Sequence, residues 1–246
     1  FIIGTSYDHG VTSYSASSEL GVFEPKYFVD GSGLTLSNTD DFDPKELRTV
    51  NDYVGVFFSD TFNITDRLAL TVGGRYNWSQ IKIENTSGDP DDDTLDGTNR
   101  YSRFNPSAGL TYAFSPALNW YGGYSEANRA PVAAELACAD PENPCLIESF
   151  LTADPPLKQV VSNTWETGFR GTIKNWQDRS RWDWGVGLFH TVNYNDIFDI
   201  TETDIGHGFF QNFGTTLRQG VEANLSYRTQ RLFWYANYTF NDATFQ

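Results

Sequence analysis

Residues 67–78, RLALTVGGRYNW, alternate strictly between apolar and polar side chains. Successive side chains of an extended strand point to opposite faces, so one face here is apolar. That face carries Leu68, Leu70, Val72, Tyr76 and Trp78. What it contacts decides the fold class, because a second protein layer gives a sandwich and hydrocarbon gives a membrane barrel.

The same alternation recurs along the chain, and no comparable stretch has a helical period of 3.6. Aromatic residues make up 16% of the sequence, and aromatic residues favour strands. The sequence therefore predicts an all-β chain. The further alternating segments are 107–114, 118–125, 181–194, 217–228 and 232–240.

The connections between these segments alternate between short and long. The short ones are 8–10, 63–66, 115–117, 175–180 and 229–231. The long ones are 24–50, 84–102, 126–159 and 199–215. Outer-membrane barrels follow this rule, with short turns on the periplasmic side and long loops outside the cell. A soluble sandwich has no reason to follow it at every hairpin.

Strand length and the polar face favour a barrel over a soluble sandwich. The apolar set from Trp184 to Tyr194 spans ten residues, which climb about 25 Å at roughly 3.3 Å per residue and a tilt of about 40°. Charged side chains on the opposite face are tolerated only where water reaches them. The predicted lumen charges are Arg75, Glu166, Arg170, Asp183, Arg218 and Glu222.

Composition excludes other classes. No run approaches the roughly 18 apolar residues of a transmembrane helix, and a net charge of −15 argues against a nucleic-acid partner. The three histidines are scattered, and no catalytic arrangement or cofactor site can be inferred from spacing. A propeller with a period near 50 residues is also disfavoured. The GG pair at 73–74 recurs at 122–123 but reads GT at 171–172.

In the loop region 124–171 an RAP…EL segment leads into a long loop, which returns through L…E.G.R into the next strand. With these motifs the region resembles the TonB-dependent outer-membrane receptors, in which the loop between them is variable. The segments 53–78 and 104–131 resemble two hairpins of the same family. The matching positions are Asp60, Leu68, Gly73, Gly74, Arg75, Tyr76, Arg129, Ala130, Pro131, Glu135, Leu136, Leu157, Glu166, Gly168, Phe169 and Arg170.

The resemblance implies an antiparallel transmembrane β-barrel, of which residues 1–246 form part of a single domain. About ten strands of a barrel of roughly 22 are expected here. A signal peptide, the plug domain and the C-terminal strands are expected to lie outside this sequence, which begins at Phe1 and contains no Met.

Two loop features carry limited chemistry. Cys138 and Cys145 flank ADPENP in the longest loop. A close pair of cysteines in an exported protein predicts a disulfide. A metal pair is the alternative, but no further ligand lies nearby. The acidic stretch 89–97 lacks the Gly and Glu that a calcium loop requires, and we expect it to be solvated.

The resemblance implies a receptor in the bacterial outer membrane that imports a scarce nutrient, such as a ferric siderophore, cobalamin, haem or a glycan. Its partners would be the TonB complex, reached through the plug, outer-membrane lipid and a small-molecule ligand such as a metal chelate. A passive porin and a soluble carbohydrate-binding domain are the alternatives. The candidate ligand-binding residues are Arg75, Tyr121, Tyr124, Asn128, Arg129 and Arg170.

Overall fold

The structure is a computed structural model. It describes residues 1–17, 19–25, 28–35, 45–86, 96–115, 117–136, 145–146, 157–175, 179–201 and 207–246.

Strands account for nearly all of the described residues. They are β1 (Ile2–Ala16), β2 (Glu19–Glu24), β3 (Phe28–Thr35), β4 (Lys45–Asn63), β5 (Leu68–Asn85), β6 (Gly97–Ser115), β7 (Leu118–Arg129), β8 (Cys145–Leu146), β9 (Val160–Asn175), β10 (Ser180–Tyr194), β11 (Ile197–Thr201), β12 (His207–Asn212), β13 (Thr215–Arg228) and β14 (Phe233–Phe245). One short helix, α1 (Ala133–Leu136), follows β7. In the described part of the chain, no helix has the length and apolar character needed to cross a membrane.

The main sheet is an antiparallel meander in the order β1-β4-β5-β6-β7-β9-β10-β13-β14. Short hairpins join β4 to β5, β6 to β7, β9 to β10 and β13 to β14, whereas the alternate connections are long. The predicted alternation of loop length is therefore confirmed from β4 onwards. Two small sheets, β2-β3 and β11-β12-β8, lie within the long connections.

The turn predicted at residues 8–10 is wrong, because β1 runs through them without a break. Asp-His-Gly is a turn signal locally, but His9 pairs with Asp52 in the ladder to β4. The side chains of Tyr7 and His9 both hydrogen-bond to the Asp52 carboxylate, at 2.7 and 2.8 Å. One long strand thus replaces two short ones, and the main sheet has nine strands within the described ranges.

The register confirms that the apolar side chains share one face. Val56 lies opposite Tyr76, Phe62 opposite Leu70 and Trp184 opposite Leu225. Side chains on this face are uncovered, and Trp165 is 60% exposed. We call this the outward face. The opposite face carries Arg75, Glu166 and Arg170, and we call it the lumen face.

The long-loop end of the lumen face holds the main buried cluster. A segment that we call the strap, residues 130–136, folds back from the end of β7 onto the inner side of β4 and β5. Leu136 at its end is 1% exposed and Ile81 of β5 is fully buried. The cluster comprises Leu47, Ile81, Ile83, Leu136, Leu157, Val160 and Ile197.

An asparagine joins two of the long connections. Asn212 accepts a hydrogen bond from the backbone N–H of Lys158 at 2.7 Å. It donates to the carbonyls of Lys158 and Asn195 at 2.9 and 2.8 Å. Because β8 also pairs with β12, the connections 130–159 and 195–214 meet at one three-stranded sheet.

Close packing against β10 and an aromatic side chain requires a glycine on the lumen face of β9. A Cβ atom at Gly168 would lie 2.4 Å from the Val186 carbonyl oxygen and 2.7 Å from the Tyr121 hydroxyl. We expect Gly168→Ala to lower the free energy of unfolding by about 1–3 kcal/mol, as overpacking does.

The measurement is urea unfolding of the full-length protein, and Gly10→Ala is the control because a Cβ at Gly10 meets nothing within 4 Å. Alanine tends to stabilise a strand relative to glycine, so Gly10→Ala should be neutral or mildly stabilising. Equal effects of the two changes would show that Val186 and Tyr121 do not pack closely against Gly168.

Candidate functional site

The backbone ladder between β6 and β7 ends part of the way along the strands. Its last pair is Ser107 with Ser125, although β6 continues to pair with β5 and β7 with β9. We call the gap between residues 97–106 and 126–129 the seam. Side chains bridge it, because Arg103 of β6 forms an ion pair with Glu126 of β7 at 2.6 Å.

Asn128 is the centre of the hydrogen bonds at the seam. Its Oδ1 accepts from the amides of Asn77 at 2.8 Å and Asn105 at 2.6 Å. Its Nδ2 donates to Gln159 Oε1 at 2.9 Å, and Gln159 donates to the Ser102 carbonyl at 3.2 Å. Four segments of chain therefore meet at one half-buried amide on the lumen face.

Arg75 lies beside this amide cluster. Its Nε donates to Asn77 Oδ1 at 2.6 Å and its Nη2 donates to Ser6 Oγ at 2.7 Å. The guanidinium carbon lies 5.7 Å from the centroid of the Phe57 ring. It also lies over Gly55, where a Cβ atom would collide with it. Among the described residues, Arg75 has no carboxylate partner within 4 Å.

An open cleft of about 350 Å³ lies at this place on the lumen face. Arginine, amide and hydroxyl groups and the Glu126 carboxylate line it together with an aromatic ring. Because Glu126 is paired with Arg103, Arg75 can bind anionic and hydrogen-bonding groups of a ligand. Two buried polar atoms at the seam, Arg103 Nε and Asn105 Oδ1, have no hydrogen-bond partner in the described ranges. The lining residues that matter here are Phe57, Arg75, Asn77, Asn105, Ser107 and Asn128.

The Arg129 side chain is held in an ion pair with the strap. Its guanidinium makes a bidentate ion pair with Glu135 at 2.7 and 3.1 Å. Glu135 also accepts the backbone N–H of Val132 at 2.8 Å, which is half of a capping box at the start of α1. The RAP…EL residues therefore fold the strap, and Pro131 and Leu136 are buried by it.

Tyr121 and Arg170 form a second group on the lumen face. The Arg170 guanidinium carbon lies 5.4 Å from the Tyr121 ring centroid, a cation–π contact. Both line a cleft of about 490 Å³ together with Glu166. Ser107 borders this cleft and the one at Arg75, so the two adjoin.

Tyr124 borders the cleft at Tyr121 and Arg170, but its ring turns to the outward face. Its register partners Ala108 and Trp165 belong to the outward face, and its ring lies 4.6 Å from that of Trp165. Its hydroxyl donates to Glu126 at 2.7 Å. The structure thus brings Arg75 and Asn128 together, places Tyr121 and Arg170 beside them, and directs the Tyr124 ring outward.

Sequence reasoning missed the amides that complete the cluster. Asn77 and Asn105 share the strand parity of the lumen face, which is the one available signal. Their contact with Asn128 spans 51 and 23 residues of sequence and depends on the seam, so no local pattern reveals it.

The predicted disulfide stays a prediction, because Cys138 lies outside the described residues. Most of the acidic stretch 89–97 lies outside them as well. In the part of the chain that the structure describes, no three His, Cys, Asp or Glu side chains lie close enough to hold a metal ion.

Comparison with protein families gives one match over almost the whole chain. The family described as "TonB dependent receptor-like, beta-barrel" matches residues 4–246. A search among curated proteins gave no match.

Solved structures with the same fold include three receptors of which this chain spans less than half the length. The ferric-catecholate import receptor Fiu from E. coli K12 has a TM-score of 0.62 at 20% identity, covering 98% of this chain and 35% of that one. The hemophore receptor HasR from Serratia marcescens, solved with its hemophore and heme, gives 0.57 at 15%, with 98% and 42% covered. The ferripyoverdine receptor of Pseudomonas aeruginosa gives 0.55 at 16%, with 98% and 30% covered.

Proposed function

The chain belongs to the TonB-dependent receptor-like β-barrel family, and from this we propose that it is part of an outer-membrane receptor importing a scarce nutrient such as a ferric siderophore. Members of this family are outer-membrane transporters and receptors, not enzymes. In our proposal residues 1–246 form part of one barrel domain. The plug domain and the contact with the TonB complex belong to other parts of the same protein.

The observation that carries the proposal is the cleft at Arg75. A guanidinium that has no carboxylate partner among the described residues, and that lies beside three asparagine amides, suits a ligand with anionic oxygens. Ferric chelates commonly present such oxygens. The net charge of −15 disfavours small anions at long range, but a local arginine overrides this at short range.

Three of the structural neighbours support this ligand class. Fiu is described as a ferric-catecholate import receptor, FauA from Bordetella pertussis as an alcaligin receptor, and FpvA as a receptor bound to ferric pyoverdines. We propose that the ligand enters from the long-loop end and contacts Arg75 and Asn128. Tyr121 and Arg170 would line the adjoining cleft.

The test begins with the full-length protein in a strain that lacks its gene. Growth on a panel of ferric catecholate, hydroxamate and carboxylate chelates, haem and cobalamin identifies the ligand, and loss of growth in a tonB deletion shows the energy source. Growth that persists without TonB, together with ion conductance in planar bilayers, would instead indicate a passive porin.

Arg75→Gln then tests the cleft. Hydrogen bonds to a charged group contribute about 1.5–3 kcal/mol, so the dissociation constant for the ligand should rise about 10- to 100-fold. The measurement is binding of the radiolabelled chelate to whole cells. Arg67→Gln, in the short β4–β5 turn, removes the same charge away from the cleft. An unchanged affinity in Arg75→Gln would exclude this site.

A further inference from the structure

The hydrogen bonds between the amides at the seam run in one direction, and a backbone carbonyl fixes that direction at one end. The Ser102 carbonyl can only accept, so the nitrogen of Gln159 faces it at 3.2 Å. The oxygen of Gln159 therefore faces Asn128, whose nitrogen donates to it at 2.9 Å. Asn128 must then present its oxygen to the other amides of the seam.

A guanidinium fixes the same direction at the other end. Arg75 Nε can only donate, and it donates to Asn77 Oδ1 at 2.6 Å. The nitrogen of Asn77 is then left for Asn128, and it donates to Asn128 Oδ1 at 2.8 Å. An amide turned by 180° within this series would place two oxygens or two nitrogens face to face. The neighbours of each amide therefore fix its orientation.

This direction leaves the oxygen of Asn105 without a donor. Asn105 uses its nitrogen to donate to Asn128 Oδ1 at 2.6 Å. Asn105 is 6% exposed, and its Oδ1 is buried with no hydrogen-bond partner in the described part of the chain. Such an acceptor has lost its contact with water and gained no donor in return, which is unfavourable.

The second unpartnered polar atom at the seam does not fill this place. Arg103 Nε is a donor, but it makes no hydrogen bond to Asn105 Oδ1. Asn105 lines the cleft at Arg75, whereas Arg103 does not. The cleft is therefore the side from which a donor can reach Asn105.

Asn105 and Arg75 are direct neighbours on the lumen face. They are register partners in the ladder between β5 and β6, and the Cβ atoms of such partners lie about 4.5–5.5 Å apart. Arg75 uses Nε and Nη2 to bind Asn77 and Ser6, so its Nη1 remains for a ligand. The cleft therefore presents a cationic donor and a neutral acceptor side by side.

A carboxylate also borders the cleft, but its two oxygens already have donors. Glu126 Oε2 accepts from Arg103 at 2.6 Å, and Glu126 Oε1 accepts from the Tyr124 hydroxyl at 2.7 Å. A ligand donor therefore gains more at the unpartnered oxygen of Asn105 than at Glu126.

We propose that Asn105 Oδ1 accepts a hydrogen bond from an amide N–H of the imported ligand, while Arg75 binds an anionic oxygen of the same ligand. The ligand is then one that carries an amide N–H close to an anionic group, as an N-acylated amino acid does. This inference rests on the proposed function and names the chemical class of ligand at the same cleft. Because no backbone ladder joins β6 to β7 at the seam, side chains there can shift to admit the donor to the buried oxygen.

The test compares two probes that differ in one group. N-acetylglycine has a carboxylate and an amide N–H, and acetoxyacetate is the ester in which an oxygen replaces that N–H. Each is titrated into the full-length protein in phosphatidylcholine nanodiscs, and binding is followed by the NMR signal of the acetyl methyl group. The test variant is Asn105→Leu. The control is Asn224→Leu, which makes the same change at an exposed position on the lumen face of β13, opposite Gly185 and away from the cleft.

The unsubstituted protein should bind N-acetylglycine about 5- to 100-fold more tightly than acetoxyacetate, because the ester leaves the buried acceptor unpaired. Asn224→Leu should keep this preference, and Asn105→Leu should bind the two probes equally. Equal binding of the two probes by the unsubstituted protein, or binding of neither, would overturn the proposal, and this comparison needs no variant to fold.

A preference that persists in Asn105→Leu would also overturn the proposal, since Glu126 or another acceptor would then make the contact. The two probes report recognition alone. Growth on the chelate panel and its dependence on TonB report transport, so failure of the proposed function is seen separately.

Discussion

Arginine in place of Leu110 is expected to destabilise the barrel by about 2–4 kcal/mol, the cost of a basic side chain on the lipid face near the middle of the membrane. Leu110 lies on the outward face of β6, opposite Leu70 and Gly122, and is five residues from Ser115 at the short hairpin. The measurement is urea unfolding of the full-length protein in phospholipid vesicles.

Thr111→Arg is the matched control, since it places the same side chain one residue away on the lumen face, where it lines the cleft at Tyr121. Water can hydrate a charge there, so the change should be small. If the two variants were equally destabilised, or if Thr111→Arg were the worse, the outward face would not contact lipid. The barrel assignment of the faces would then be reversed or wrong.

Truncation of Leu136 to alanine should release the strap while the barrel stays folded. Leu136 is 1% exposed in the cluster with Ile81 and Leu157. Removing a buried leucine side chain costs about 2–5 kcal/mol. We expect this loss to lower the free energy of local opening of residues 130–136. Hydrogen exchange of this peptide in the full-length protein should accelerate by a factor of roughly 30 or more.

Val132→Ala is the control for this change, because Val132 lies in the same strap and is 48% exposed. Its exchange rates should stay close to those of the unsubstituted protein. The interpretation fails if Leu136→Ala leaves strap exchange unchanged. It also fails if the urea midpoint of the whole barrel falls in parallel with strap opening, since the strap would then be part of one cooperative unit.

The fold was predictable because lipid imposes a period of two on every strand. The alternation from Leu68 to Trp78 and from Trp184 to Tyr194 identified the outward face, and the rule of short and long connections gave the hairpins. The error at residues 8–10 arose because Asp and Gly were weighed as turn formers. Fifteen consecutive ladder pairs with β4 outweigh that local preference.

The long-loop end was less predictable than the membrane part. The connection predicted at residues 84–102 is shorter in the structure. Strand β5 ends at Asn85 and β6 begins at Gly97. In this region Ile81 and Ile83 lie on the lumen face. Apolar side chains are tolerated there because the strap covers them and excludes water. Apolar residues on the lumen parity of a barrel strand are thus a signal for a buried loop.

The part of the candidate site that lies on the lumen face of regular strands was predictable from charge and strand parity. Charge and parity placed Arg75, Arg170 and Tyr121 on the lumen face, and the structure brings Arg75 to Asn128. The role of Arg129 was not visible from residue type, since its partner Glu135 is reached only when the strap turns back. Tyr124 has the outward parity, and its contact with Glu126 arises where β7 leaves β6.

The side-chain amide of Asn212 forms its hydrogen bonds to main-chain atoms of the two loops that it joins. Any residue type except proline at position 158 therefore preserves the junction. Position 195 has a φ of 53° and favours Asn, Asp or Gly, and position 212 tolerates few replacements. In relatives whose surface has diversified under attack by phages or antibodies, we expect free variation in the side chains around an almost fixed asparagine. Such a pattern would let the side chains of the surface loops change while the junction between the loops keeps its structure.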